Sequence, residues 1–166
     1  MSGHLYCIDT SSLIDLKLYP RDLFGPLWVF LEEIIAAERL IAPNEVLREL
    51  EKGDDEIYKW ALTQKKAFVD LTPELGTVLS EVLTDIPELA KTIAIRPGPY
   101  ADPLVVALAL LRVRSGASKC TVVTQERIGG VGSVKIPNLC SRYGISPVVL
   151  LDMVRLEGLT FELKRP

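Results

Sequence analysis

The sequence predicts a single α/β domain of three layers, with a mostly parallel central sheet flanked by helices. Three observations lead there. Short apolar, often β-branched runs recur at residues 4–8, 40–42, 68–71, 121–124 and 134–136. Segments with helical spacing separate most of these runs, and strands alternating with helices imply a parallel sheet covered on both faces. The 166 residues, 48% of them hydrophobic, suit one compact domain over residues 1–166 with its own core.

The run Leu5-Tyr6-Cys7-Ile8 reads as a buried strand that stops at Asp9-Thr10-Ser11-Ser12, a helix-entry signal. Ser12 with Asp15 three positions on resembles a capping box, and Ser11 and Ser12 are the expected caps. Helical spacing continues to Leu18, then Pro20 and Pro26 punctuate a connection before an amphipathic helix over residues 27–39. A second short strand follows at residues 40–42. Pro43 and Asn44 open the next helix, with Val46, Leu47 and Leu50 on its apolar side and Gly53 at its stop. A helix through Tyr58 and Trp60 precedes a strand at residues 68–71, and Thr72-Pro73-Glu74 starts a longer helix.

Residues 84–100, broken by Pro87, Pro97 and Pro99, read as two short pieces and a loop. Asp102-Pro103 opens the most apolar helix, over residues 104–113, whose nearly all-round hydrophobicity implies burial on several sides. Thr121-Val122-Val123-Thr124 is the clearest strand. Gly129, Gly130 and Gly132 form a turn, Val134-Lys135-Ile136 reads as the last strand, and helices are expected from Pro137 and from Pro147.

A net charge of −3 argues against a basic coat for nucleic acid, so any such contact has to be concentrated on one face. The three cysteines, Cys7, Cys120 and Cys140, have no C-x-x-C spacing and leave one unpaired in any intramolecular scheme. A reducing cytosol is the simpler reading. The longest dense apolar run, residues 104–111, falls short of the roughly 18 to 20 residues a bilayer span needs. The first apolar segment runs into Asp9 without a basic flank or cleavage pattern, so a cytoplasmic protein is expected.

Four carboxylates stand where strands should end or helices begin: Asp9, Glu49, Asp102 and Glu126. Ligands of an α/β sheet gather beyond the carboxyl ends of its strands, and acids brought there from distant sequence can hold a hard divalent cation. Metal-dependent chemistry on phosphate is therefore the first hypothesis.

The segments Ile8-Asp9-Thr10-Ser11-Ser12-Leu13-Ile14, Val46-Leu47-Arg48-Glu49-Leu50, Ala101-Asp102-Pro103 and Val123-Thr124-Gln125-Glu126, in this order and spacing, resemble those of PIN-domain nucleases. More narrowly they look like the VapC-like toxins of type II toxin–antitoxin pairs. Ile136-Pro137-Asn138-Leu139-Cys140 followed by Gly144-Ile145 also looks like the end of one such branch. The last family motif commonly carries aspartate in a Thr-x-Asp pattern, where this chain has Glu126, one methylene longer. Residues 54–100 form a larger middle section than the most compact toxins have, a place for substrate or partner contacts.

The resemblance implies a ribonuclease hydrolysing single-stranded RNA with Mg²⁺ or Mn²⁺. It would be silenced by a cognate antitoxin protein and assembled as a homodimer. On that reading Asp9, Glu49, Asp102 and Glu126 are the catalytic acids. Asp9 and Asp102 are the principal metal ligands, and Glu126 and Glu49 are further ligands or groups that orient the attacking water. Thr10, Ser11 and Thr124 are candidates to hydrogen-bond metal waters or phosphate. Arg112, Arg114, Lys119, Arg127 and Lys135 are candidates for the RNA backbone.

Plainer readings stand beside these. Asp9 can simply cap the next helix, Asp102-Pro103 makes a good Ncap–N1 pair, and Glu45 shares a helix face with Glu49 as a rival acid. The single histidine, His4, rules out a two-histidine zinc site and reads as incidental, and the cysteines read as small core residues. Two other functions remain. One is a PIN-fold module that binds RNA or protein without cleaving. The other is a different metal-dependent phosphohydrolase, such as a haloacid-dehalogenase-like phosphatase, whose D-x-D pattern is broken here by Ser11.

Overall fold

Five short apolar segments form the sheet of this computed structural model, which describes residues 3–53, 55–117, 119–162 and 165. They are β1 (Leu5–Ile8), β2 (Leu40–Pro43), β3 (Phe68–Val69), β4 (Cys120–Val123) and β5 (Ser146–Val148). Their order across the sheet is β3-β2-β1-β4-β5, and every pairing is parallel. β2 and β4 are buried along their whole length, which is why their sequences read as continuous apolar runs rather than alternating ones.

Helices supply both outer layers. α1 (Thr10–Asp15), α2 (Gly25–Ala36), α3 (Asn44–Glu51), α4 (Glu56–Thr63), α5 (Pro73–Asp85), α6 (Pro87–Ile95), α7 (Asp102–Arg114), α8 (Ile136–Arg142) and α9 (Leu150–Leu156) follow in chain order. Alternation along β1 shows the layering. Cys7 faces α7, donating its thiol proton to the Val105 carbonyl at 3.4 Å. Tyr6 and Ile8 point the other way: Tyr6 hydrogen-bonds Glu157 beyond α9 at 2.7 Å, and Ile8 shares an apolar space with Ile35 of α2 and Trp60 of α4. α7 lies across β1, β2 and β4 and is covered in turn by α5, so its residues 105–109 are completely buried. The expected α/β class, with a parallel sheet between helical layers, is the observed one.

Several local expectations change. Val134-Lys135-Ile136 is not a strand: Ile136 already begins α8, and Lys135 is its cap position. The last strand is instead Ser146-Pro147-Val148, where a helix from Pro147 was expected; that helix starts at Leu150. Proline is tolerated there because β5 is the sheet edge, paired only with β4. Residues 84–100 contain the end of α5 and a single further helix, α6, rather than two short pieces. Ser12 is no cap but lies inside α1; Asp9 is the N-cap, its carboxylate accepting from the Ser12 amide at 2.8 Å. Asp102 is likewise no cap: it is the first residue of α7, Ala101 holds the cap position, and no side chain caps that end.

The sheet order places a topological switch point between β1 and β4. Their flanking connections run to opposite sides there, β1 leading to β2 and β4 to β5. A crevice opens at such a point beyond the carboxyl ends of the strands. The residues that follow β1 and β4 are Asp9 and Thr124.

Candidate active site at the carboxyl ends of the strands

Asp9 is the centre of a closed hydrogen-bond set. It is 2% exposed. Its Oδ1 accepts the Ser12 amide at 2.8 Å, while Oδ2 accepts the hydroxyls of Ser11 at 2.7 Å and Thr124 at 2.6 Å. Both hydroxyl oxygens are themselves anchored, Ser11 by the Gln125 amide at 3.0 Å and Thr124 by the Glu126 amide at 3.1 Å. The ends of β1 and β4 are thereby tied across the switch point through one carboxylate. Burial pushes the Asp9 carboxyl up, and the hydrogen bonds from Thr124, Ser11 and Ser12 pull it back.

Glu49 arrives on α3. Thr10 donates its hydroxyl to Oε2, and Oε1 accepts the Ala101 amide at 3.0 Å, so this acid links the start of α1 to the start of α7. Glu45, the rival on the same helix face, instead takes Arg48 at 3.2 Å. Glu126 follows β4, and its Oε2 accepts the amide of Ile136, the first residue of α8, at 2.8 Å. Thr10, Ser11 and Thr124 thus hold the acids themselves in place.

Asp102 shows that the four acids share one field. Its carboxyl is pushed up to about 7, first by burial and then by the negative charges of Glu126, Glu49 and Asp9, with Arg96 pulling the other way. Tyr100 is half-buried beside Asp102, and its hydroxyl is driven upward by burial and by that neighbour's charge. The Arg96 guanidinium lies 4.3 Å from the Tyr100 ring centroid. Sequence reasoning missed Arg96 and Tyr100, because a loop between Pro97 and Pro99 carries no periodicity to mark which side chains turn inward.

The expected basic residues divide in two. Arg112 and Arg114 occupy the last turn of α7, and Asp102 is at its first residue. A helix of that length carries them about 15 to 18 Å from the acids. Arg114 is also paired with Glu81 at 2.6 Å. Lys119 precedes β4 and lies at the amino end of the sheet, where its carbonyl accepts the Leu5 amide at 3.1 Å. Arg127 and Lys135 belong to the segment after β4 and remain on the side of the acids.

No group of three or more His, Cys, Asp or Glu side chains among the described residues is arranged to hold a metal ion by itself. The donor chemistry nevertheless suits a hard cation: all four groups are carboxylates, and after burial it is the charges of the other three that hold Asp102 up. Mg²⁺ in particular needs only one or two carboxylates, the remaining positions going to water and substrate phosphate.

The family model described as Domain of unknown function (DUF4411) matches residues 6–161, and the chain belongs to that family. No curated protein and no solved structure matches it. The matched span contains every acid of the site. Among the described residues no helix is long and apolar enough to cross a membrane.

Proposed function

We propose that the protein is a PIN-like endoribonuclease that hydrolyses phosphodiester bonds in single-stranded RNA with Mg²⁺ or Mn²⁺, as a VapC-like toxin neutralised by an antitoxin protein. One observation carries the reading. Acids from four separated segments meet at the switch point of a parallel sheet, and their charges act together on Asp102. Asp9, Asp102 and Glu126 would hold the cation, with Glu49 beside them. When bound, the ion polarises the phosphoryl oxygen and makes its water a stronger nucleophile. The chain's own part is placement. Ser11 and Thr124 fix the Asp9 carboxylate, and Thr10 with the Ala101 amide fixes Glu49. The Arg96 charge opposes that of the other acids at Asp102, and a guanidinium so close to the acids can also meet a phosphate.

Incubating a mixed single-stranded RNA pool with the folded wild type in Mn²⁺, Mg²⁺ or EDTA tests this. Cleavage in either metal and none in EDTA is expected. RNA binding without cleavage under every metal would overturn the nuclease reading in favour of a non-catalytic binding module.

Homodimerisation, which the toxin reading entails, is supported by large apolar side chains left exposed around the first two helices. Leu18 is 67%, Leu23 73% and Val29 50% exposed. Sedimentation at micromolar concentration is expected to give a dimer that Leu23→Glu weakens at least about tenfold. A monomeric wild type would remove that part of the proposal.

A further inference from the structure

A pocket of about 740 Å³ opens beside the acids and shares Thr124 and Glu126 with them. Its volume is that of a pocket for a small organic ligand. From the acid cluster it runs along the edge strand β5, between α8 and the start of α9, with Ile145, Val148 and Val149 as apolar wall. No lysine or arginine lines it among the described residues, so a phosphate has no cationic partner there. The polar groups it offers include two hydroxyls, Ser141 and Ser146, and two carboxylates, Glu126 and Asp152. Arg155 engages Asp152 through Oδ1 at 2.6 Å, leaving Oδ2 without a protein donor among the described residues.

An apolar wall with carboxylate acceptors suits a flat, neutral ligand that presents N–H donors. We propose that this cavity is a base-recognition pocket: it takes the nucleobase next to the phosphate held at the acids, and it prefers bases bearing an exocyclic amine. The inference rests on the nuclease reading for the position of that phosphate. Cytosine, adenine and guanine each turn an amino group toward an acceptor. Uracil presents two carbonyl oxygens around a single N–H and is repelled by carboxylates. The apolar wall supplies a packing surface that is indifferent to base identity, and with Glu126 engaged by the cation and the Ile136 amide, selectivity falls to Asp152.

Two measurements on the full chain test it. Saturation-transfer NMR with free cytidine, adenosine, guanosine and uridine reads the pocket without any cleavage. Uridine should bind about tenfold more weakly than the other three. Ser141→Phe, a substitution at an exposed position of α8 that fills the cavity, should weaken all three by a similar factor. Sequencing the ends produced from the RNA pool should show uridine depleted about tenfold at one position beside the cut. Ser141→Phe should erase that bias while cleavage remains metal-dependent. Selective nucleoside binding with no RNA cleavage would support the pocket and sink the nuclease reading. Cleavage with unbiased ends, together with no nucleoside binding or with binding that Ser141→Phe leaves unchanged, would overturn the pocket and spare the nuclease.

Discussion

Asp102→Asn is expected to lower metal-dependent RNA cleavage at least about 100-fold and, in the same protein, to raise the melting temperature of the metal-free form near neutral pH. The two effects have one cause. Asp102 is the first residue of α7 without being its cap, so asparagine there removes a charge and no helix-capping bond. The charge removed is the one that burial and Glu126, Glu49 and Asp9 all oppose. Folding raises the Asp102 carboxyl from 3.8 to about 7, so the folded chain holds that proton more tightly than the unfolded chain does. The resulting stability is complete below the unfolded value and is lost as pH rises through the folded one.

Metal-free wild type should therefore melt at falling temperature as pH climbs from about 5 to about 8, and Asp102→Asn should melt with a much flatter profile. Added Mn²⁺ should raise the wild-type midpoint most at the alkaline end, where Asp102 is ionised, and should raise the variant's less. Differential scanning calorimetry across that range checks the sign. A wild-type midpoint that rises with pH would mean that the folded chain does not hold the Asp102 proton against burial and the neighbouring acids. The nuclease reading would then lose its electrostatic support even if RNA were cut.

The parts of the molecule legible in the sequence are those where local pattern and tertiary environment agree. β4 is fully buried and β1 is buried beyond Leu5, so they appear as apolar runs, and each leads to the residue that enters the site, Asp9 or Thr124. β5 was illegible because it is an edge strand with a central proline and a largely exposed Ser146-Pro147 pair. Val134-Lys135-Ile136 has strand composition, yet Pro137 at the second position of α8 fits a helix start and takes Ile136 with it. Glu49 was legible as an acid on a helix, but its choice over Glu45 depends on Thr10 and the Ala101 amide reaching it from 39 and 52 residues away. The placement of Arg112, Arg114 and Lys119 at the far end of the sheet follows from strand direction, a property no linear spacing reports.

Asp9 carries two duties that a pair of substitutions should separate. Asp9→Ala deletes the N-cap of α1, usually worth about 1 kcal/mol, and also removes the acceptor for the buried Thr124 and the Ser11 hydroxyls. The combined loss should be about 3 kcal/mol, or roughly 10 °C in melting temperature for a chain of this size. Asp9→Asn keeps an oxygen for the Ser12 amide and sets an NH₂ group toward the two hydroxyls. Each of those oxygens already accepts an amide, from Gln125 or Glu126, and has a second lone pair to accept the new donor. The two hydroxyl protons lose Oδ2 as their acceptor, but the cap and the links to both oxygens survive, so the asparagine variant should lose less than alanine, about 1 to 2 kcal/mol. Cleavage should fall at least about 100-fold in both, because neither keeps the Asp9 charge as a ligand for the cation. Urea unfolding of the two variants beside the RNA assay separates the roles. Asp9→Asn with that smaller loss of stability and full cleavage would reduce Asp9 to a tie between β1 and β4, since the tie can be made without its charge and the chemistry proposed here cannot.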